Sequence, residues 1–233
     1  MQAATVAVIG AMAQEIELLK NEMENVETVQ LGRFTLYHGR YAGKNMVLAL
    51  SGIGKVNAAV ATALVIQQFR PGCVINTGSA GGLGQGLKVG DVVVGDRVAH
   101  HDVDATAFGY AVGQVPQLPE TFASDAKLVE AAGKAAVAFE GASVHRGLIV
   151  SGDQFIHSSD KVAAIRANFD GVQVVEMEAA AIAQACAQLE VPFVVIRAVS
   201  DLADEAAEIS FDEFLQTAAV HSARMVQQLI RAL

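Results

Sequence analysis

Residues 172–201 read VQVVEMEAAAIAQACAQLEVPFVVIRAVSD. An apolar run from Val172 to Val175 gives way to helix-favouring residues from Glu178 to Leu189, and a second apolar run, Phe193 to Val199, follows Pro192. Neither run shows the polar alternation of a half-wet strand, so both are expected to be covered on two faces. Between them Ala179-Ala180-Ala181-Ile182-Ala183 presents side chains small enough for a helix to lie close to a sheet or another helix. Strand, helix, strand in this order predicts an α/β protein with a central, largely covered sheet.

The same alternation extends outward in both directions. Further strands are predicted at Thr5 to Ile9, Phe34 to Tyr41, Asn45 to Ser51, Cys73 to Thr77, Asp91 to Ala99 and Val144 to Val150. Helices are predicted at Met12 to Met23, Val56 to Phe69 and Phe211 to Leu233. The last has Ser210 and Glu213 at capping-box spacing, then Phe211, Phe214, Leu215, Ala218, Met225, Val226, Leu229 and Ile230 on one face. His100 to Ala123 is a long polar stretch punctuated by Gly and Pro. Loops of that length in compact domains tend to be functional or interfacial. No linker, repeat or low-complexity tract divides the chain, so residues 1–233 are expected to form one domain.

Composition excludes several classes of protein. Of 233 residues, 52% are hydrophobic and 18% charged, with mean hydropathy +0.37, too apolar for a disordered chain. Acids outnumber bases by 25 to 16, giving a formal charge of -9 with no basic run, which argues against nucleic-acid binding. Cys73 and Cys186 lie in apolar stretches and read as reduced core residues of a cytoplasmic protein. The opening Met1 to Gln14 lacks the basic region of a signal peptide, and no apolar run approaches the ~20 residues that cross a bilayer.

Several motifs carry possible chemistry. Gly78-Ser79-Ala80-Gly81-Gly82-Leu83-Gly84 follows a strand and reads as a glycine-rich turn at the carboxyl edge of the sheet, where open α/β folds bind small molecules. It matches neither the dinucleotide pattern nor a Walker A loop. Ser51-Gly52-Ile53-Gly54-Lys55 opens a helix and offers N–H groups to an anion or hydroxyl. Glu176-Met177-Glu178 places two acids where an apolar strand enters an apolar helix. The helix macrodipole accounts for such acids, and a binding site accounts for them equally well. Arg197 and Ser200-Asp201 close another buried strand at the sheet edge. His100-His101-Asp102-Val103-Asp104 has the composition of a metal site, but adjacent histidines rarely point at one ion and no third cluster completes a shell. Neither a metal nor another cofactor is expected. Ser151-Gly152-Asp153 lacks the flanking pattern of a hydrolase nucleophile elbow.

Taken together, Val8-Ile9-Gly10-Ala11-Met12 with Glu15, Ser51 to Val56, Asn76 to Gly82, Ser151 to Ile156, Glu176 to Ala179, Ser200-Asp201 and Ser210 to Phe214 resemble the nucleoside phosphorylase and nucleosidase family. The resemblance is closest to its bacterial 5'-methylthioadenosine/S-adenosylhomocysteine nucleosidase branch. It implies a three-layer sandwich with a central mixed β-sheet flanked by helices, assembled as a homodimer. The implied reaction is hydrolysis of the N-glycosidic bond of 5'-thio-substituted adenosines, with release of adenine. By resemblance Asp201 protonates adenine N7, a role that requires its acid form near neutral pH. Glu15 is the matching general base for water attacking C1'. Glu178 would receive the ribose hydroxyls and offset positive charge on the sugar, with Met177 against the ring, Glu176 beside it, and Arg197 and Ser200 orienting the acids. Adenine would meet Phe155, Ile156, Ala80 and Gly81, next to Ser79. The alkylthio tail would meet Ile53 and Phe211, with Phe108 and Pro116 supplied by the partner subunit.

Phosphorylases of this fold surround phosphate with arginines, commonly after the first strand and ahead of the Gly-Ser turn. The matching segments here, Gly10 to Glu15 and Asn76 to Ser79, contain none, so water is the expected nucleophile. Ala13 and Gln14 stand where relatives often carry further acids. A hydrolase of another 6-aminopurine nucleoside, such as aminodeoxyfutalosine, and a noncatalytic nucleoside-binding protein are the alternatives.

Overall fold

A computed structural model describes residues 5–137, 139–203 and 207–233. In chain order the elements are β1 (Val6–Gly10), α1 (Ala13–Asn21), β2 (Glu24–Leu31), β3 (Phe34–Tyr41), β4 (Lys44–Leu50), α2 (Lys55–Phe69), β5 (Cys73–Gly82), β6 (Val92–His100), β7 (Phe122–Ala123), α3 (Ala126–Val137), β8 (Val144–Ser151), α4 (Ser159–Asn168), β9 (Val172–Glu176), α5 (Ala179–Gln188), β10 (Phe193–Asp201) and α6 (Ala207–Ala232). No helix among the described residues is long and apolar enough to cross a membrane.

The strands form one mixed sheet that hinges on β5. Its first half pairs in parallel with β1 on one edge and β10 on the other. Beyond β1 the sheet runs on through β4, β3 and β2. On the other side β10, β6, β8 and β9 follow in turn, and β9 returns to Gly81 and Gly82 at the end of β5. Five strands thus close into a ring while four form an open wing.

Helices cover both faces, and the period-2 rule decides which residue goes where. Val6, Val8, Ile75, Val194 and Ile196 pack with Ile16 and Leu19 of α1, Val129 of α3 and Met225 and Leu229 of α6. Their neighbours Ala7, Ile9, Val74 and Val195 point the other way, against Ala58 and Val65 of α2 and Ala180 and Ile182 of α5. A third cluster joins Val162 and Ile165 of α4 to Val150 and Val172. Each fully buried Leu, Ile or Val contributes on the order of 1.5–3 kcal/mol, so the expectation of a sheet covered on two faces describes where most of the stabilisation sits.

Three expectations need correction. Residues 78–82 are not a turn; they are the buried second half of β5. Helix α6 begins at Ala207, so Ser210 and Glu213 lie inside it rather than at its cap. The segments 24–31, 126–137 and 159–168, without an assigned element in the sequence reading, are β2, α3 and α4. Of the long stretch from His100 to Ala123, His100 ends β6 and the rest is a loop, apart from a single 3-10 turn at Thr106–Phe108 and the two residues of β7 that pair with β6.

Candidate active site

The C-terminal ends of β1, β5, β9 and β10 surround a cavity of about 310 Å³. Its wall contains Glu15, Ile53, Ser79, Ala80, Gly81, Phe155, Ile156, Glu176, Met177, Glu178, Ser200, Asp201 and Phe211, which brings together most of the residues named from the sequence. No lysine or arginine lines it among the described residues.

Glu15 stands in the first turn of α1, directly after β1. Its Oε2 accepts the N–H groups of Ala11 at 2.8 Å and Met12 at 3.1 Å, and its Oε1 accepts from Ser79 N–H at 3.0 Å and Ser79 Oγ at 3.1 Å. The helix start and β5 together fix the carboxylate in place, 1% exposed. Glycine at 78 makes this approach possible, because a Cβ there would lie 2.7 Å from Glu15 Oε1 and 2.2 Å from Arg197 Nη1.

The two acids at the start of α5 have different jobs. Glu176 caps the helix: its oxygens accept Glu178 N–H at 3.0 Å and Ala179 N–H at 2.9 Å, together with Ser151 Oγ and the Arg197 guanidinium. Those N–H groups are among the ones a helix start leaves unpaired, so the macrodipole explanation suits Glu176. Glu178 makes no such cap. Its Oε1 accepts Gly54 N–H at 2.9 Å, and its Oε2 lies 3.4 Å from Arg197 Nη2. Burial, and then the negative charge of Glu176, push the Glu178 carboxyl up to about 8, against the opposing pull of Arg197 and Gly54 N–H.

Arg197 does not reach the cavity. It is 1% exposed behind the wall, where Nη1 donates to Ser79 C=O at 3.2 Å and Nη2 to Asn76 Oδ1 at 2.8 Å as well as to both glutamates. Burial disfavours its charge, but Glu176, Glu178 and Glu15 more than compensate and leave its pKa above the ordinary value. Asp201 ends β10 at 2% exposure, with Oδ2 2.8 Å from Ser200 Oγ and Oδ1 accepting Ala203 N–H at 2.9 Å. Phe155 and Phe211 meet edge to face with centroids 5.7 Å apart, forming an apolar corner near Ile53.

Phe108 and Pro116 stay apart from this cavity. Both are exposed on the loop after β6, Phe108 at 84%. His100, from the metal-like stretch, meets Gln184 Oε1 at 2.9 Å. Sequence reasoning omitted Ala11, Met12, Gln154 and Val175 from the wall. Ala11, Met12 and Gln154 lie inside motifs already quoted, so their positions were signalled. It also omitted Ser222, whose hydroxyl joins Thr77 Oγ at 2.7 Å, Gly78 N–H at 3.1 Å and Ile196 C=O at 3.1 Å beneath the site. Nothing in the periodicity of α6 singles out that serine.

Comparison with known proteins agrees with this arrangement along the whole chain. The profile described as "Phosphorylase superfamily" matches residues 5–231. A 5'-methylthioadenosine/S-adenosylhomocysteine nucleosidase from an Exiguobacterium species is 52% identical over 228 residues, 98% of each chain. A crystal structure of the Neisseria meningitidis nucleosidase of the same name, in complex with methylthio-immucillin-A, is 70% identical and superimposes with a TM-score of 0.98, covering 99% of this chain and all of the other. A futalosine hydrolase from Helicobacter pylori is more distant at 33% identity, with a TM-score of 0.94 and 99% of each chain covered. The chain therefore belongs to the phosphorylase superfamily, within its group of 5'-methylthioadenosine/S-adenosylhomocysteine nucleosidases.

Proposed function

We propose that the protein hydrolyses the N-glycosidic bond of 5'-methylthioadenosine and S-adenosylhomocysteine, and also of 5'-deoxyadenosine, releasing adenine and the 5-substituted ribose. The observation that carries this reading is one small cavity lined by Glu15, Glu178 and Asp201 and, among the described residues, by no lysine or arginine. Such a lining suits a transition state with positive charge on the sugar and disfavours a dianionic phosphate as nucleophile. The reaction belongs to methionine salvage and to recycling of S-adenosylmethionine by-products.

In this reading Phe155 stacks on the purine while Ile156, Ala80 and Gly81 border it. Asp201 delivers a proton to N7, so that the electron pair of the breaking C1'–N9 bond is accepted by a neutral leaving group. Glu15 takes a proton from the water whose oxygen bonds to C1'. Glu178 receives the ribose hydroxyls beside Met177, and Arg197 keeps Glu176 and Glu178 apart in fixed orientations. Ile53 and Phe211 border the 5' substituent. The working unit is a cytoplasmic homodimer of single-domain subunits, residues 1–233, in which Phe108 and Pro116 of one subunit complete the site of the other. The 84% exposure of Phe108 in the single chain supports that arrangement.

Adenine release from methylthioadenosine in phosphate-free buffer tests the proposal directly. Strict dependence on phosphate, with a sugar phosphate as product, would overturn hydrolysis. The likeness to a futalosine hydrolase bears on the other reading, hydrolysis of another 6-aminopurine nucleoside such as aminodeoxyfutalosine. Specificity constants across a series of 5' tails separate the two.

A further inference from the structure

We propose that Lys55 is a positioning residue, which locks three loops around the cavity into one frame through Asp102 and Asp153. This inference rests on the nucleosidase reading. Lys55 opens α2. Its main-chain N–H donates to Asp153 Oδ1 at 2.8 Å, its Nζ lies 2.5 Å from Asp102 Oδ1, and Asp102 Oδ2 accepts Asp153 N–H at 2.9 Å. The three bonds make a closed cycle among segments 47 to 98 residues apart.

Each corner of the cycle leads into the site. Immediately before Lys55, Ile53 lines the cavity and Gly54 N–H holds Glu178 Oε1. Immediately after Asp153 come Gln154, Phe155 and Ile156 of the wall. Asp102 begins the loop that carries Phe108. The segments are pressed together so closely that side chains are excluded at the joints. A Cβ on Gly152 would lie 2.4 Å from His101 Nε2, and one on Gly54, at φ +97°, would lie 3.1 Å from Asp153 Oδ1.

The Lys55–Asp102 pair differs from an ordinary surface ion pair. The two side chains are only 18% and 13% exposed, and the carboxylate also accepts a hydrogen bond from the main-chain N–H of Asp153. Burial opposes charge on Asp102, yet Lys55 and Asp153 N–H hold its carboxyl below the usual range. His101, which faces Asp102, Glu176 and Lys55 at this junction, has its pKa lowered, chiefly by burial. Asp102 is therefore ionised at neutral pH. A frame that serves bound substrate and transition state alike sets KM more than kcat.

The test uses the full chain with Lys55→Met, Lys55→Arg, Asp102→Asn and the double change Lys55→Met/Asp102→Asn. Steady-state kinetics on methylthioadenosine without phosphate are combined with amide exchange over residues 152–157. Lys55→Met is expected to raise KM about tenfold to a hundredfold, the range for losing a charge-assisted bond, with kcat changed much less. Exchange at 152–157 should accelerate, Lys55→Arg should restore most of KM, and the double variant should be no worse than the worse single one. Unchanged KM and unchanged exchange in folded Lys55→Met would overturn the proposal, as would strictly additive effects in the double variant. Asp102→Asn, which keeps the acceptor for Asp153 N–H, decides the matter if Lys55→Met does not fold. If the unmodified chain releases no adenine, the nucleosidase reading fails instead, and the exchange comparison alone judges the clamp.

Discussion

Four carboxyl groups share one cavity, Glu15, Glu176, Glu178 and Asp201, and what separates them is the set of donors each one meets. Glu15 faces three N–H groups and a hydroxyl, an environment built for two acceptor oxygens. Glu15→Gln replaces one of those oxygens with an NH₂ group that confronts donors. In protein shown to be folded, it should lower turnover by about 10²–10⁴-fold, the usual contribution of a positioned acid or base. Asp201→Asn should produce a loss of the same order, and rates measured with and without phosphate would check both. Glu178 has a different signature. Its carboxyl titrates near 8 in the fold against 4.5 ordinarily, so between those values the folded state binds the extra proton. Stability from this group is present at low pH and is lost as pH rises toward 8. Glu178→Gln should therefore flatten the fall in thermal midpoint that the unmodified protein shows between about pH 5 and pH 8, and melting curves at a series of pH values would show it.

At the scale of elements, β5 was the hardest strand to read. Cys73 to Thr77 announces itself by apolar residues, but Gly78-Ser79-Ala80-Gly81-Gly82 has the composition of a turn. Those residues are small because neighbours crowd the strand: Arg197 and Glu15 approach Gly78, and Asp201 Oδ1 lies 3.0 Å from where a Cβ on Gly81 would be. Gly78→Ala should cost roughly 1–3 kcal/mol of stability, as other overpacking changes do, and reduce activity by displacing Glu15 or Arg197. Denaturant melts alongside kinetics would detect both. Edge strand β2 was illegible for the opposite reason. Its residues are mostly exposed, so no apolar alternation marks them. The four helices expected from composition were found, because α1, α2, α5 and α6 all pack small or aliphatic side chains on the sheet. In α6 the Ser210 and Glu213 signal misled, since a capping box is a local pattern and tertiary packing extends the helix past it. Of the cavity wall, Ser79 to Gly81, Glu176, Ser200 and Asp201 were legible because they fall at strand ends, whereas Glu15, Ile53, Phe155, Ile156 and Phe211 were named through the family resemblance. Ser222 and the Lys55–Asp102 pair were not legible, because their partners are distant in sequence.

For the whole molecule, the exposed apolar side chains Ile53, Val56 and Val60 at and after the start of α2, together with Phe108, are the surface a proposed second subunit would cover. Phe108→Asp should weaken the dimer in sedimentation measurements and lower kcat/KM by at least about tenfold, the effect of losing one of the few aromatic anchors that carry about 2 kcal/mol at an interface. An unaltered dimer with unaltered kinetics would count against a shared site. The ring closed by β5 and β9 has a consequence for how the chain is made. β1, β3 and β4 can pair as soon as the first fifty residues exist, but one edge of β5 waits for Phe193 onward, and its far end waits for Val174 and Val175. A nascent chain leaving the ribosome must therefore carry an apolar, half-paired strand through more than a hundred further residues of synthesis. Glu15 is in place early and Asp201 arrives only near the end, so a prematurely terminated product would be both sticky and inert.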